Sequence, residues 1–573
     1  MAAQIVVITG CSKGIGQGIA LTLAKDPQRR FKVYAPNQED TKTKAGSYYD
    51  DTLFIRELDV TKQETIDKTI KEIIEGEGKI DVLVNNAGIS SPDWWQTAPM
   101  QTFYDVMDVN YFGCVRMTKA VAPIMKTQRS GKILQVSSVL GFKAISLGQQ
   151  YISSKFALEG FSESIAPPLR KFNVWVSLIE PGFVVTPLLE KFGKDANGVF
   201  HATIDSWTDC PEEEATITRK MLTENLDIVL GTEIQSIEDI AKLVEVVLLS
   251  SKPDFRYQTS EMAKDFARQR FIDPSGNEIM NSYRLNTPIA TNQEDTKAKA
   301  GKYYDDTLFI RELDVTKQET IDKTIKDIFE EEGRIDVLIN NAGIQRIAWW
   351  QTAPMDNFYD VMDVNYFGCV RMTKAVAPIM KAQRSGKIIQ ISSVMGFKAI
   401  PICEPYTASK FALEGFSESI APPLRKSNVW VSIIEPGFVL TPMIKLFGND
   451  ANSIMHATIG SWTDCPEEDV TITRKMLTEN QDIVYGTEML SIDDIAKVVE
   501  DAILSPKPDF RYQSPETVKE FARQRFVDPS GNEIMNSWLK QYHKQLCDRL
   551  EWYQMVIASQ INRLYKSLDN IQN

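Results

Sequence analysis

From Asn37 to Asn281 the chain is written twice. Each marker in that stretch recurs 255 positions later, up to Asn536, with no insertion or deletion between those ends. Asn110 returns as Asn365, Ser138 as Ser393, Tyr151 as Tyr406, Lys155 as Lys410, Pro181-Gly182 as Pro436-Gly437 and His201 as His456. Solenoid repeats have periods of roughly 20–50 residues, so a gapless repeat of this length is a tandem duplication of a whole domain. The copies are unequal: nothing in the second corresponds to Ile5 through Lys32. The predicted division is a complete unit at 1–287, a truncated repeat at 288–537 and a tail at 538–573. In the tail, Leu539, Tyr542, Leu546, Leu550, Tyr553, Ile557, Leu564 and Leu568 follow three- and four-residue steps or their sums, the mark of an amphipathic helix.

Composition narrows the class. A chain of 573 residues, 43% hydrophobic and 25% charged, has room for two to four cores. A net charge of −13 and a pI near 5.1 argue against nucleic acid and anionic membrane surfaces as partners. Seven scattered cysteines without a C-x-x-C pair point to a reducing compartment, and three unclustered histidines to no metal site. Met1 to Gly10 reads as a first strand rather than a leader, and no apolar run is long enough to span a bilayer. The expectation is a cytoplasmic protein, at most peripheral to membranes.

Along the first copy, strand and helix patterns alternate, as a doubly wound parallel sheet of the Rossmann type requires; the expected fold class is α/β. Strands are predicted at Ile5–Ile8, Phe31–Ala35, Thr52–Leu58, Asp81–Val84, Ile133–Val136 and Trp175–Ile179. Helices are predicted over Gln17–Lys25, Gln63–Glu75 and about Met100–Gln128, with a further one from Tyr151 that Pro167-Pro168 should end or kink. The first strand leads into Thr9-Gly10-Cys11-Ser12-Lys13-Gly14-Ile15-Gly16 and a helix. Glycines in such a turn let backbone N–H groups approach an anion at a helix N-terminus, so this stretch is a candidate phosphate cradle. The second copy lacks that cradle and the strand that should be central. Strand four is then expected to lose its neighbour and leave apolar edges unpaired.

Residues four apart on a helix share a face, so Tyr151 and Lys155 point the same way. A phenol ionises near pH ~10, and an adjacent ammonium favours the phenolate. Tyr151 is therefore a candidate proton donor and acceptor. Ser138, thirteen positions earlier and at the end of an apolar run, is a candidate ligand for the same substrate oxygen.

Taken together, Thr9–Gly16, Asn85-Asn86-Ala87-Gly88, Asn110, Ser138, Tyr151/Lys155 and Pro181-Gly182 resemble, in order and spacing, the short-chain dehydrogenase/reductase family. Phe31–Ala35, Tyr111–Met117, Ser154–Gly160 and Asp273–Asn277 are similar to its 17-beta-hydroxysteroid dehydrogenase/retinol dehydrogenase branch. The resemblance implies reversible hydride transfer between a nicotinamide cofactor and an alcohol or carbonyl on an apolar substrate. It implies Tyr151 as general acid/base, Lys155 lowering its pKa and holding the nicotinamide ribose, Ser138 orienting the carbonyl and Asn110 holding a relay water. It further implies that Gly10, Ser12, Lys13, Gly14, Ile15 and Gly16 form the cofactor loop, Asp59 takes the adenine amino group, Asn86 lines the cleft and Thr186 fixes the carboxamide. Each has a structural alternative: Ser138 as a strand-end cap, Asn86 as a pin for the sheet, Asp59 as a helix start, Lys13 as an exposed charge.

Lys13, directly before Gly14, signals NADP(H) in this family. Against it, Ala35-Pro36-Asn37-Gln38-Glu39-Asp40 lacks the branch's arginine and offers two carboxylates, with Lys42 and Lys44 further on. A charge-assisted phosphate contact is strong, so NADP(H) is expected over NAD(H). The second-copy residues Asn365, Ser393, Tyr406 and Lys410 have no cradle to serve. Yet the approach Pro401-Ile402-Cys403-Glu404-Pro405 is closer to the family's than Ser146-Leu147-Gly148-Gln149-Gln150. Three readings stay open: a working oxidoreductase in the first copy, a dinucleotide sensor without turnover, and an interaction protein with the second copy as scaffold. The assembly expected is a homodimer through copy one, or a pseudo-dimer within the chain.

Overall fold

The protein, as a computed structural model, is described over residues 2–36, 51–91, 93–146, 148–184, 186, 204, 212, 215–216, 235–260, 264, 308–346, 349–439, 441, 465–479, 490–516, 518–519 and 522. The expected tail helix, the join between the copies, His201, His456 and the stretch with Glu39, Asp40, Lys42 and Lys44 lie outside these.

In copy one, β1 (Gln4–Ile8) is central because its side chains are apolar on both faces. Ile5 and Val7 join the cluster on one side, Val6 and Ile8 the cluster on the other. A strand covered on both faces is what a parallel sheet demands. It pairs in parallel with β2 (Phe31–Pro36) and with β4 (Val82–Asn85), Val6 lying opposite Val33 and Val82. With β3 (Leu53–Arg56), β5 (Gly131–Val136), β6 (Val174–Glu180) and β7 (Arg256–Gln258) the order is β3-β2-β1-β4-β5-β6-β7. The flanking helices are α1 (Gly14–Ala24), α2 (Gln63–Glu77), α3 (Met100–Met107), α4 (Gly113–Gln128), α5 (Gln149–Arg170) and α6 (Ile237–Leu249).

One helix departs from expectation and another ends where the sequence said it should. The long helix around Asn110 is broken by a π-turn at Asp108–Phe112, between α3 and α4; such turns widen the helix and re-aim a side chain. α5 runs on through Pro167 and Pro168 to Arg170. It stops two residues past Pro168, as expected of residues that have no N–H to donate back to the carbonyl four positions earlier.

Copy two folds on the same plan with α7 (Gln318–Glu332), β8 (Val337–Asn340), α8 (Met355–Met362), α9 (Gly368–Gln383), β9 (Gly386–Ile391), α10 (Glu404–Lys426), β10 (Val429–Pro436), α11 (Glu467–Glu479), α12 (Ile492–Leu504) and β11 (Arg511–Ser514). Among the described residues its sheet is β11-β10-β9-β8 with β8 at the edge, where copy one has β1.

The copies pack on each other through α5 and α10. Glycines make the crossing close: a Cβ on Gly160 would come within 2.7 Å of Phe411 Cγ, and one on Gly415 within 2.7 Å of Phe156 Cγ. Around them Trp95 meets Phe416 edge-on at 5.7 Å and Phe161 meets Trp350 at 5.9 Å. The polar contacts are reciprocal too. Lys119 Nζ donates to the carbonyls of Trp350, Gln351 and Ala353 at 2.7, 2.8 and 2.6 Å. Lys374 Nζ donates to those of Trp95 and Ala98 at 2.8 and 2.6 Å. Arg116 donates to the Tyr359 hydroxyl and Arg371 to that of Tyr104. Residue i meeting j while j's equivalent meets i's is the signature of an isologous contact.

The pair Gln149/Glu404 breaks the symmetry. Glu404, where copy one has Gln149, is fully buried; its Oε1 accepts from Ile402 N at 2.9 Å, while Oε2 has no partner among the described residues. Burial pushes its carboxyl up to about 7 despite those backbone bonds and Lys119 across the contact.

Candidate active site

The cradle is held by the end of β4. Thr9 Oγ1 accepts from Asn86 N and Ala87 N, both at 3.0 Å, and Asn86 Nδ2 donates back to the carbonyls of Thr9 and Gly10 at 3.0 and 3.1 Å. Asn86 thus ties the glycine turn to the sheet. Gly10 is required twice over: its φ is +70°, and a Cβ would lie 2.6 Å from Ala87 Cα. Gly16 admits none either, since a Cβ would lie 2.3 Å from Asn86 Nδ2. Gly14, φ +64°, opens α1, whose N-terminus has no side-chain cap and no acidic residue in its first turn. Free first-turn N–H groups and the positive end of the helix dipole suit a phosphate. Ser12 and Ile15 are half-buried and Lys13 is exposed at the rim. These residues fit a dinucleotide pyrophosphate.

A second group of residues gathers at the same end of the sheet. Lys155 Nζ donates to Val136 O at 2.9 Å and stands 5.5 Å from the Tyr151 ring centroid. The π-turn delivers Asn110 to them. Asn110, 0% exposed, accepts at Oδ1 from Ile89 N (2.8 Å) and donates from Nδ2 to Ile89 O and to Ser154 Oγ, both at 2.9 Å. Ser154 Oγ donates to Tyr151 O at 2.7 Å. Both amide hydrogens of Asn110 are therefore committed, and Oδ1 keeps one lone pair. A Cβ on Gly88 would sit 3.4 Å from Asn110 Oδ1 and 3.7 Å from Lys155 Nζ, so glycine leaves the approach open. Ser138 caps the short turn Val139–Gly141, its Oγ accepting from Leu140 N at 3.1 Å.

Two predicted residues have no hydrogen bond to this group among the described residues. Asp59 Oδ1 accepts from Thr61 N and Oγ1 at 3.0 and 2.7 Å, and Lys62 lies 3.3 Å from Oδ2. Burial opposes its charge, but the Thr61 bonds and Lys62 outweigh it and hold the carboxyl below its usual range. Thr186 is half-buried just past Val184, which bridges to Gln235.

Sequence reasoning missed Ser154, although it lies inside the Tyr–Lys motif one turn after Tyr151. It also missed the buried cluster below: Arg256 from β7 donates to Glu159 at 2.5 Å, and to Glu163 and Glu180. Burial drives Glu180 up to about 8 against the pull of Arg256, and the three carboxyls together keep the guanidinium charged. The cluster clamps α5 to β6 and β7; only the odd density of acids in buried segments hinted at it.

Copy two repeats the second group. Lys410 Nζ donates to Ile391 O at 2.8 Å, 5.5 Å from the Tyr406 ring centroid. Asn365 bonds Ile344 N at 2.8 Å and Ser409 Oγ at 3.0 Å, and Ser393 Oγ accepts from Met395 N at 3.2 Å. Among the described residues no glycine turn faces them.

No described helix is long and apolar enough to cross a membrane. The family described as short chain dehydrogenase matches residues 4–197 and, again, 281–452. Retinol dehydrogenase 8 of Bos taurus is 37% identical over 280 residues, which is 48% of this chain and 87% of that protein. 17-beta-hydroxysteroid dehydrogenase type 1 of Homo sapiens is 34% identical over 284 residues, 48% of this chain and 83% of that protein. A solved short-chain dehydrogenase from Streptomyces avermitilis is 23% identical with a TM-score of 0.39, covering 53% of this chain and 97% of that one.

Proposed function

Since the chain belongs to the short chain dehydrogenase family, we propose that copy one interconverts an alcohol and a carbonyl on an apolar substrate. The substrate class is steroid- or retinoid-like, by the names of the relatives. One observation carries this reading: an unbroken path of contacts joins the cradle to the acid/base group. It runs from Gly10 to Asn86, along the chain to Ile89, and by hydrogen bonds from Ile89 to Asn110, Ser154 and the Tyr151 carbonyl.

The nicotinamide dinucleotide would supply or accept the hydride when bound. Gly10, Gly14 and Gly16, with the first-turn amides of α1, would hold its pyrophosphate, Ser12 and Ile15 lining the turn. Lys13 at the rim would meet a 2′-phosphate, hence NADP(H) over NAD(H). Thr186 would fix the carboxamide and Asp59 the adenine. Tyr151 would give its phenolic proton to the carbonyl oxygen in reduction and take it back in oxidation. Lys155 would hold the nicotinamide ribose, and Ser138 would hold the carbonyl oxygen through its hydroxyl proton. Asn110 keeps α5 and the β4 loop in register through Ser154 and Ile89, and its free lone pair is where a relay water would hang.

For copy two a different reading is favoured by its missing cradle. Tyr406, Lys410, Ser393 and Asn365 would be idle, and the copy would serve as an intrachain partner, making the chain a pseudo-dimer. We place the units at 1–287, 288–537 and 538–573, and the protein in the cytoplasm. Titration of the full chain with NADPH and NADH, followed by turnover of steroid ketones and retinal, tests the assignment. Uptake of neither dinucleotide would sink it.

A further inference from the structure

Copy one shows what covers the outer side of such a sheet. β1 ladders with β4, Val6 to Ile8 against Val82 to Val84, and Ile5 N donates to Asp81 Oδ2 at 2.7 Å. α1 lies so close on α6 that a Cβ at Gly18 would come within 2.2 Å of Ile237 Cγ2. Beneath it Ile240, Ala241 and Val244 are each 0% exposed. Arg30 donates to Glu245 at 2.8 Å and closes the rim.

Copy two presents the same receptor, residue for residue. Val337-Leu338-Ile339-Asn340 stands for β4, Asp336 for Asp81, and Ile492, Ile495, Ala496, Val499 and Glu500 for the face of α6. There Ile492 is 56% exposed, Ala496 and Glu500 are exposed, and Ile495 and Val499 are only half-buried. Charge selects the occupant. α12 carries Asp493, Asp494, Glu500 and Asp501 against Lys497, so a second α12 face would be repelled. The unit that covers α6 meets it with a cation, Arg30 on Glu245, and Glu500 stands at the equivalent place on α12.

We propose that the open side of copy two is a docking site for the strand–helix–strand unit Gln4–Pro36 of a second copy of this chain, and that docking completes a second active site around Tyr406 and Lys410. The catalytic half of this rests on the function proposed above. Docking adds β1 to the β8 edge, a strand-addition mode of recognition, and brings the glycine turn to the end of β8. Exchange between chains conserves the buried surface, since the donor's copy one is uncovered as the acceptor's copy two is covered. The exchanged form is therefore a minority that grows with chain concentration.

The test uses full chains. Inserting a second set of residues 2–36 directly before Asn292 restores the register of copy one in copy two. The parent should take up one NADPH per chain and the inserted chain two. With Tyr151→Phe, the inserted chain should keep a turnover that Tyr406→Phe removes. In the chain without the insert, Tyr151→Phe should leave a small residual rate per chain that rises with concentration. It should vanish with Tyr406→Phe or Ile492→Asp. One NADPH in both parent and inserted chain overturns the proposal, as does a residual rate indifferent to concentration and to Tyr406. Chain dimers without Tyr406-dependent turnover would mean edge-to-edge pairing of two copy-two sheets and also overturn it. A parent that takes up no NADPH overturns the reading of copy one, and this one with it.

Discussion

Copies one and two hold their tyrosine and lysine in the same way: the ammonium is 5.5 Å from the ring centroid in each, and each lysine donates to the carbonyl at the end of the neighbouring strand. They differ in what lies across the cleft. Geometry around the tyrosine and lysine is thus built locally, by one helix, one π-turn and one strand end, and survives loss of the first βαβ unit. Cofactor binding is not local in this sense, because it depends on a turn from another strand that is tied to the end of β4 by Asn86 and Ala87.

The largest expected difference is in turnover. Tyr151→Phe keeps the ring and removes the proton, so the rate should fall at least ~10²-fold, or ~2.7 kcal/mol and more of transition-state stabilisation, with dinucleotide binding kept. Tyr406→Phe in the parent chain should change the rate little. Steady-state assays of both variants decide; near-normal turnover in Tyr151→Phe breaks the contrast.

Stability should treat the copies alike where they cross. Gly160→Ala and Gly415→Ala each drive a methyl against a phenylalanine ring at 2.7 Å. Each should cost about 1–3 kcal/mol, an overpacking penalty, and the two should agree closely by thermal unfolding. A strong inequality would show that the crossing is not reciprocal.

A smaller effect distinguishes Gln149 from Glu404. With a folded value of about 7 against an ordinary 4.5, Glu404 holds a proton in the folded chain that the unfolded chain releases between those values. The stability this adds is complete below 4.5 and lost as pH rises through 7. Glu404→Gln should flatten that slope and, at pH 8, stabilise by on the order of 2 kcal/mol. Denaturant unfolding across the range measures it, and an unchanged slope removes Glu404 as its source.

The smallest concerns Lys13, which copy two cannot replace. Lys13→Ala should weaken NADPH more than NADH, by about tenfold in their ratio, as loss of one charge-assisted contact implies. Equal weakening, or NADH already preferred in the parent, breaks the NADP(H) assignment.

Much of this was legible beforehand. Short apolar runs such as Ile5–Ile8 and Ile133–Val136 are strands because alternate residues feed two cores. The glycine turn declares itself by residues that tolerate neither a Cβ nor a negative φ. The site's supporting contacts were not legible. Ser154 reads as helix filler until Asn110 is turned toward it by a π-turn that no local pattern announces. Arg256 and its three glutamates lie up to 97 residues apart, so their pairing exists only in the folded sheet.

The glycine crossing of α5 on α10 also has a consequence for dilution. Contacts of this kind between separate subunits weaken as protein becomes scarce. Here Phe156 and Phe411 belong to one polypeptide, so their effective concentration is fixed by the chain and not by the abundance of the protein. The helix that carries Tyr151 therefore keeps its neighbour at any abundance, and the specific activity of copy one should hold constant as the enzyme is diluted.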